Sequence, residues 1–437
     1  TWQMEVGRNY TGNNLSGDNA NWDALYQRIN SMNIILHELG NVSQSTEQDK
    51  MDAIRVQGEC CFLRAQFYLL LVNMYAKAYD PDNAATDLGV PLKLTYYVEH
   101  DKDKETQFER TPVAKVYEQI VKDLKESVDC FTKSPQTKSF YRASKGAALL
   151  LLSRVYLYMG EWELAEVECE KAIQAGCPLW DLNGVDMTDN GSESTGNLKQ
   201  QYMISATSPE VLFTQGMNVM NLLMYDGTNV GRFKASDELL QLYSKYSGEG
   251  ITDLRMTGYF SVSRKKSDCY FSRKTSVLAK DIKAFDAFVI RSAEAYLNKA
   301  EAQAMQGKSE AIQTLKTLLE NRFENGEIPT SIDGLQGENL VRFIREERRR
   351  ELCFECHRWF DLRRYAVCEK YPEKKEVRHA LYAPATVSNG MGVYEGEYVL
   401  KPYGEDAAWL MPIPDYEITY NKGEMKQNDE REERGIQ

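Results

Sequence analysis

Residues 340–364 read LVRFIREERRRELCFECHRWFDLRR. Seven consecutive charges, Arg345 to Glu351, stand between an apolar entry (Leu340, Phe343, Ile344) and an apolar exit (Leu352, Phe354, Trp359, Leu362). On a helix each residue advances about 100°, so seven charges circle the axis nearly twice. They cannot all face water if the flanking apolar residues share one buried face. Ile344, Arg348 and Leu352 stand four apart and project the same way, which predicts Arg348 in or against the core, with Glu347 or Glu351 beside it. A buried charge has to be paired and hydrogen-bonded, or it shifts its protonation state. Helical spacing offers local partners: Glu346 with Arg350, Arg348 with Glu351, Glu355 with Arg358, and Arg358 with Asp361. Carboxylates so placed could do acid–base chemistry. An ion-pair lattice that fixes how the helix docks is the stronger expectation, because charge runs are usually structural.

The same stretch holds Cys353-Phe354-Glu355-Cys356-His357, a C-x-x-C-H spacing like that of covalent haem attachment. A second axial ligand would have to come from His37, His100 or His379, the only other histidines, so no cofactor is expected. The nine cysteines (Cys60, Cys61, Cys130, Cys169, Cys177, Cys269, Cys353, Cys356, Cys368) are odd in number and scattered. That is neither a disulfide framework nor a complete metal site; most read as small buried hydrophobes. No metal is expected. A search for G-x-S-x-G, a Walker lysine, H-E-x-x-H or a Gly-rich dinucleotide loop finds none. Glycosidase chemistry needs only two carboxylates placed by the fold, and sequence cannot pick that pair from 65 acids.

With 437 residues, 42% hydrophobic and 27% charged, the chain can bury a large core. A net charge of −12 argues against nucleic acid or an anionic membrane surface as partner. No apolar run approaches the length of a membrane span. Thr1-Trp2-Gln3-Met4 is no signal peptide and reads as the middle of a longer chain. Aromatics are abundant, 26 Tyr, 15 Phe and 6 Trp, and in irregular segments they suit flat amphipathic ligands.

Along the chain, residues 1–21 read as loop. Trp22, Leu25, Tyr26, Ile29, Met32, Asn33 and Leu36 predict a helix ending at Gly40, and a second runs from about Glu47 to Tyr79, apolar all round from Cys60 to Tyr75. Gly89 to Leu94 reads as extended. Thr111-Pro112 predicts a helix start with Thr111 as N-cap, and Val113, Val116, Tyr117, Ile120, Leu124 and Val128 give its buried stripe. Ser144–Tyr158, a Gly160-Glu161-Trp162 turn and Glu163–Ala175 form a helical hairpin in which Gly160, Trp162, Ala165 and Ala172 follow a tetratricopeptide pattern. Arg291–Gln306, Gly307 and Glu310–Phe323 repeat that grammar. Between the hairpins, 177–287 is loop-rich, with a short helix at Ser236–Tyr246 and a candidate hairpin within Met256–Phe288. The expected fold is all-α dominated: about four tetratricopeptide-like helical pairs, a large loop-rich insert and small β elements. We expect one domain over 1–437, with scaffold 22–176 and 288–366, insert 177–287 and an irregular segment 367–437.

The stretch R-R-R-E-L-C-F-E-C-H-R-W-F-D-L-R-R resembles the C-terminal signature of the SusD/RagB family of Bacteroidetes surface nutrient-binding lipoproteins, approximately E-R-R-x-E-L-x-F-E-G-x-R-W-x-D-L-x-R. Arg348, Glu351, Glu355, Arg358, Trp359 and Asp361 form the structural signature, joined by Glu347, Arg350, Leu352, Phe354, Leu362 and Arg364; Cys356 stands where the family usually has glycine. Arg64-Ala65 with Phe67-Tyr68, the 291–302 block, and Met411-Pro412-Ile413-Pro414 with Asn421 look like further family blocks. The chain departs after Gln427-Asn428, where Asp-Glu follows in place of Pro-Gly.

The resemblance implies binding without catalysis: capture of an oligosaccharide or polysaccharide nutrient at the outer-membrane surface and delivery to a SusC-like TonB-dependent transporter. It also implies a lipid anchor N-terminal to the sequence in hand. Family sites lie on loops, so the ligand-binding candidates are Trp2, Tyr10, Asn13, Asn14, Tyr202, Asn218, Tyr225 and Arg232, with Trp180 in reserve. Rival readings are a peptide-binding uptake component, a protein-interaction scaffold without a small ligand, and a secreted glycoside hydrolase.

Overall fold

The computed structural model describes residues 16–97, 108–136, 139–187, 201–215, 233–262, 269–275, 284–383, 393–422 and 425–437. Helix α1 (Ser16–Glu38) lays Trp22, Leu25 and Ile29 onto α2 (Glu47–Tyr75), as their spacing predicts. A capping box opens α2: Thr46 Oγ1 accepts from Asp49 N at 3.1 Å, and the Asp49 carboxylate accepts from Thr46 N at 2.9 Å. The helix stops at Tyr75, short of the expected Tyr79. Its last carbonyls are taken from outside: Tyr75 O accepts from Arg110 and Asn428, and Asn73 O and Ala76 O accept from Arg363. Cations on C-terminal carbonyls satisfy groups that have no intrahelical partner and complement the helix dipole.

Helix α3 (Val113–Lys133) buries Val113, Val116, Tyr117, Ile120 and Leu124 against α2. Its N-cap is Pro112, not Thr111, whose hydroxyl instead accepts from Leu92 N at 3.3 Å. Helix α4 (Lys145–Met159) is buried from Gly146 to Tyr158 and ends at Gly160, whose φ of 77° is left-handed and suits a residue without Cβ. Trp162–Gln174 (α5) returns along it, and α5 also packs on α8 (Ala293–Met305), which follows the insert in sequence. In α8, Ala293, Ala295, Ala300, Ala302 and Ala304 are buried. Their small side chains let α4, α5, α9 (Glu310–Leu319) and α10 (Gly337–Glu351) all approach one rod. The helical pairs α1/α2, α3/α4, α4/α5 and α8/α9 thus stack into one scaffold of tetratricopeptide-like character.

Small β elements carry the rest. In the insert, β1 (Val211–Phe213) pairs antiparallel with β4 (Ile290–Arg291), tying it to the start of α8. Helix α6 (Asp237–Ser244) is capped by Ser236, and α7 (Arg255–Tyr259) leads into β2 (Phe260–Val262), which pairs with β3 (Tyr270–Ser272) as the expected hairpin. The tail is more regular than the sequence suggests. After α11 (Arg358–Ala366), β5 (Val377–Tyr382) and β6 (Tyr394–Leu400) form a hairpin, and α12 (Asp415–Tyr420) follows Pro414.

The charged stretch is two helices, α10 and α11, joined by a tight turn in which Phe354 and Cys356 have φ of 64° and 66°. This conformation strains any residue with a Cβ, by about 1–2 kcal/mol. It also explains why a family glycine at 356 leaves a legible mark. Cys356→Gly is expected to be more stable than Cys356→Ala by about 1 kcal/mol, the reverse of their order within a helix. Paired denaturation midpoints measure this, and an alanine variant as stable as the glycine variant contradicts the strain.

Candidate functional site

The charged run is buried as its periodicity predicts: Arg345, Glu347, Arg348, Arg350 and Glu351 are all inside. The local pairings expected for it do not form. Among the described residues Arg348 pairs with Asp361 at 2.9 Å and Glu294 at 3.2 Å, and Arg350 pairs with Glu347. Glu355 holds Arg291 and Lys274, and Glu346 reaches Lys245. Half-buried Arg358 pairs with neither Glu355 nor Asp361. The reason is geometric. Successive turns of α10 face different neighbours, and for Arg348, Glu347 and Glu351 those neighbours supply opposite charge across the packing surface, where both partners are desolvated together.

Among the described residues Glu351 is the most heavily bonded anion. Its Oε1 accepts from Arg291 at 2.7 Å, Tyr259 at 3.0 Å and Arg322 at 3.1 Å; its Oε2 accepts from Arg255 and Arg322, both at 2.9 Å. Around it Arg255, Lys274, Arg291, Arg322 and Arg350 face Glu210, Asp253, Glu347, Glu351 and Glu355, five cations to five anions. Burial alone would raise the Glu351 pKa; Arg322, Arg291 and Arg255 outweigh it and hold the carboxyl well below the usual range. Glu210, Asp253, Arg255 and Lys274 come from the insert, the others from α8 to α10 and their ends. The cluster is therefore a neutral bolt fixing the insert to the scaffold. Carboxylates enclosed by guanidinium groups are poorly placed to take a substrate proton.

The C-x-x-C-H residues are packing and network members. The Cys353 Sγ lies 3.3 Å from the Tyr243 hydroxyl, and burial pushes the Cys356 thiol up to about 12. His357 Nδ1 lies 3.4 Å from Arg348 Nη2, while Nε2 is buried without a hydrogen-bond partner. Among the described residues no group of His, Cys, Asp and Glu is arranged to hold a metal ion.

Of the ligand-binding candidates, Trp2, Tyr10, Asn13, Asn14, Asn218, Tyr225 and Arg232 lie outside the described residues. Tyr202 is described: it is 8% exposed, with the Arg273 guanidinium 5.5 Å above its ring, so it offers little surface. Trp180, the reserve candidate, packs half-buried against the insert core: its N donates to Glu210 at 2.8 Å and its carbonyl accepts from Arg322 at 2.7 Å. Open grooves among the described residues include two of similar size. One, of about 650 Å³ and lined by Leu36, Leu39, Ile54, Gln57, Arg64 and Asp123, runs among α1, α2 and α3. The other, of about 670 Å³, lies in the insert beside α6 and is lined by Gln241, Tyr243, Ser247, Thr252 and Tyr270. Tyr96 and Tyr97 are exposed aromatics that carry no helical or strand period, since adjacent rings fit neither. Their one signal is their place at the end of the Gly89–Leu94 extended run.

Residues 1–157 match a family model described as starch-binding, associating with the outer membrane, and residues 177–430 match the SusD family model. A relative, SusD-like protein P2 of Formosa agariphila, is 25% identical over 462 residues, covering 98% of this chain and 83% of that protein. A solved putative sugar binding protein from Bacteroides vulgatus is similar with a TM-score of 0.69 and 24% identity, over 93% of this chain and 84% of that one. A SusD superfamily structure from Bacteroides fragilis gives 0.65 and 22%, over 96% and 86%. The two solved structures share the fold.

Proposed function

The chain belongs to the SusD family, and from that premise we propose that it captures oligosaccharide at the cell surface and hands it to a partner TonB-dependent transporter of the outer membrane. The observation carrying this reading is the family match across both halves of the chain, its first part described as starch-binding and outer-membrane-associated. No described helix is long and apolar enough to cross a membrane. The ion-pair bolt supports binding without catalysis. It commits its carboxylates to structure and fixes the described insert residues Glu210, Asp253, Arg255 and Lys274 to the scaffold.

The test is a titration of the protein with neutral oligosaccharides of four to eight sugars, in parallel with an assay for released reducing ends. Binding without product is expected, weakened about tenfold or more by Trp2→Ala or Tyr225→Ala, together with co-purification of a TonB-dependent transporter. Release of reducing ends replaces the reading with a hydrolase. Binding of peptides and of no sugar keeps the uptake role and changes the cargo.

A further inference from the structure

We propose that His37, Tyr96 and Tyr97 form a preorganised sugar-stacking platform on the helical scaffold, outside the insert; the proposal rests on the carbohydrate-capture reading above. The His37 imidazole, in the last turn of α1, stacks on Tyr96 with centroids 3.6 Å apart and planes 15° apart. Tyr97 meets Tyr96 edge-on at 5.2 Å and 85°. Tyr96 is 43% exposed and Tyr97 53%, so two ring surfaces at a right angle form a corner open to solvent.

The corner is pinned from below. The Tyr26 hydroxyl donates to Pro91 O at 2.8 Å, and Asn33 Nδ2 donates to Lys93 O at 3.0 Å and Thr95 O at 3.2 Å. From residue 26 to 33 a helix rises about 10 Å, the span of about three extended residues, so the 91–97 segment runs alongside α1 in register. Tyr68 both donates to Lys93 O at 2.7 Å and accepts from Lys93 N at 2.8 Å. The Lys93 ammonium bonds Thr95 O at 2.7 Å and Tyr97 O at 2.5 Å, fastening the backbone beneath both rings. Asn33 is itself fixed, its Oδ1 accepting from Arg64, which forks onto Asp123 at 2.7 and 2.8 Å.

Scaffold hydrogen bonds therefore hold the two tyrosines outward, where burial would be the cheaper fate of an aromatic ring. The two residues together expose roughly 200 Å², about half of what two tyrosines bury in a core. That suits one or two pyranose rings, whose C–H faces are apolar and whose hydroxyls point sideways into water. It falls far short of the roughly 800 Å² per partner that a stable protein interface needs.

The experiment is calorimetric titration of the full chain with maltooligosaccharides and with cello-, xylo- and manno-oligosaccharides of four to eight sugars. Far-UV circular dichroism controls the fold of Tyr96→Ala, Tyr97→Ala and Tyr96→Phe. For whichever sugar binds, both alanine variants are expected to weaken affinity tenfold or more, while Tyr96→Phe stays within about threefold because the stacking face survives. If the sugar binds and both alanine variants keep wild-type affinity, the platform is wrong and the uptake reading stands. If no sugar binds the wild type, the reading falls and the platform with it. A wild type that sediments as a dimer, made monomeric by Tyr97→Ala, turns the corner into a protein contact and overturns the proposal.

Discussion

Replacing Glu351 by Gln is expected to destabilise the protein by about 3–5 kcal/mol, the usual cost of removing one partner from a buried ion cluster. The substitution keeps shape and volume, so cavity formation does not contribute. It leaves five buried cations facing four anions, and Arg255, Arg291 and Arg322 lose the charged acceptor they share at fully buried positions. An amide could accept from two of the five donors now satisfied; its NH2 would point at guanidinium groups. Against a total stability of order 10 kcal/mol this is a large fraction. Because Glu210, Asp253, Arg255 and Lys274 bring the insert to this carboxylate, the insert is expected to loosen first, with proteolytic cleavage there preceding loss of helical signal. Glu346→Gln is the control, since its partner Lys245 is solvent-exposed and such pairs contribute about 1 kcal/mol or less. Equal urea midpoints for the two variants would falsify the bolt.

The same residues show what sequence can and cannot reveal. That Arg348 is buried follows from Ile344 and Leu352 on its own helix face, a local regularity of period 3.6. That Arg348 meets Glu294 and Glu351 meets Arg255, Arg291 and Arg322 is set by how helices far apart in sequence cross, and no spacing rule within α10 contains it. The local pairs expected instead were chemically sensible and lost to partners with better geometry. Helix α2 ends early for a similar reason: Arg110, Arg363 and Asn428 reach its carbonyls from positions 35 or more residues away. Cys356 is the converse case, a local backbone requirement visible only because the family's glycine is missing. The tyrosine corner was illegible because a ring held out into solvent by backbone pins leaves no periodic trace. Helix α1 announced itself through Trp22, Leu25 and Ile29, while the residue it lends to the proposed platform is a single exposed histidine in its last turn.

Acid is expected to weaken the fold in two steps, the first set by His357. That imidazole lies among Arg154, Arg348, Glu294 and Asp361, and burial first, then the two arginines, push its pKa down to about 4, against the pull of the two carboxylates. The unfolded chain, with histidine near 6.5, takes up its proton first as pH falls. Stability is therefore at its plateau above about pH 7 and falls between pH 6.5 and 4, by at most about 1.4 kcal/mol per pH unit and roughly 3 kcal/mol in all. Below 4 both states carry the proton and this contribution stops changing. The carboxylates then take over with their own sign. Asp361 is lowered to about 2, and Glu294, Glu301, Glu347, Glu351 and Glu355 are also held below their ordinary values by neighbouring arginines, with Lys274 adding to the pull on Glu355. Their stabilisation is present above about pH 4.5 and is lost as pH falls through the folded values. His379 is shifted down as well, and Glu417 up with the opposite effect, so the wild-type curve alone does not isolate His357. His357→Gln does: its urea midpoint should change much less between pH 7 and pH 5 than that of the wild type, while the fall below pH 4.5 remains in both. Parallel curves over the upper window would mean that His357 keeps an ordinary histidine pKa within the fold, with Glu294 and Asp361 offsetting its burial.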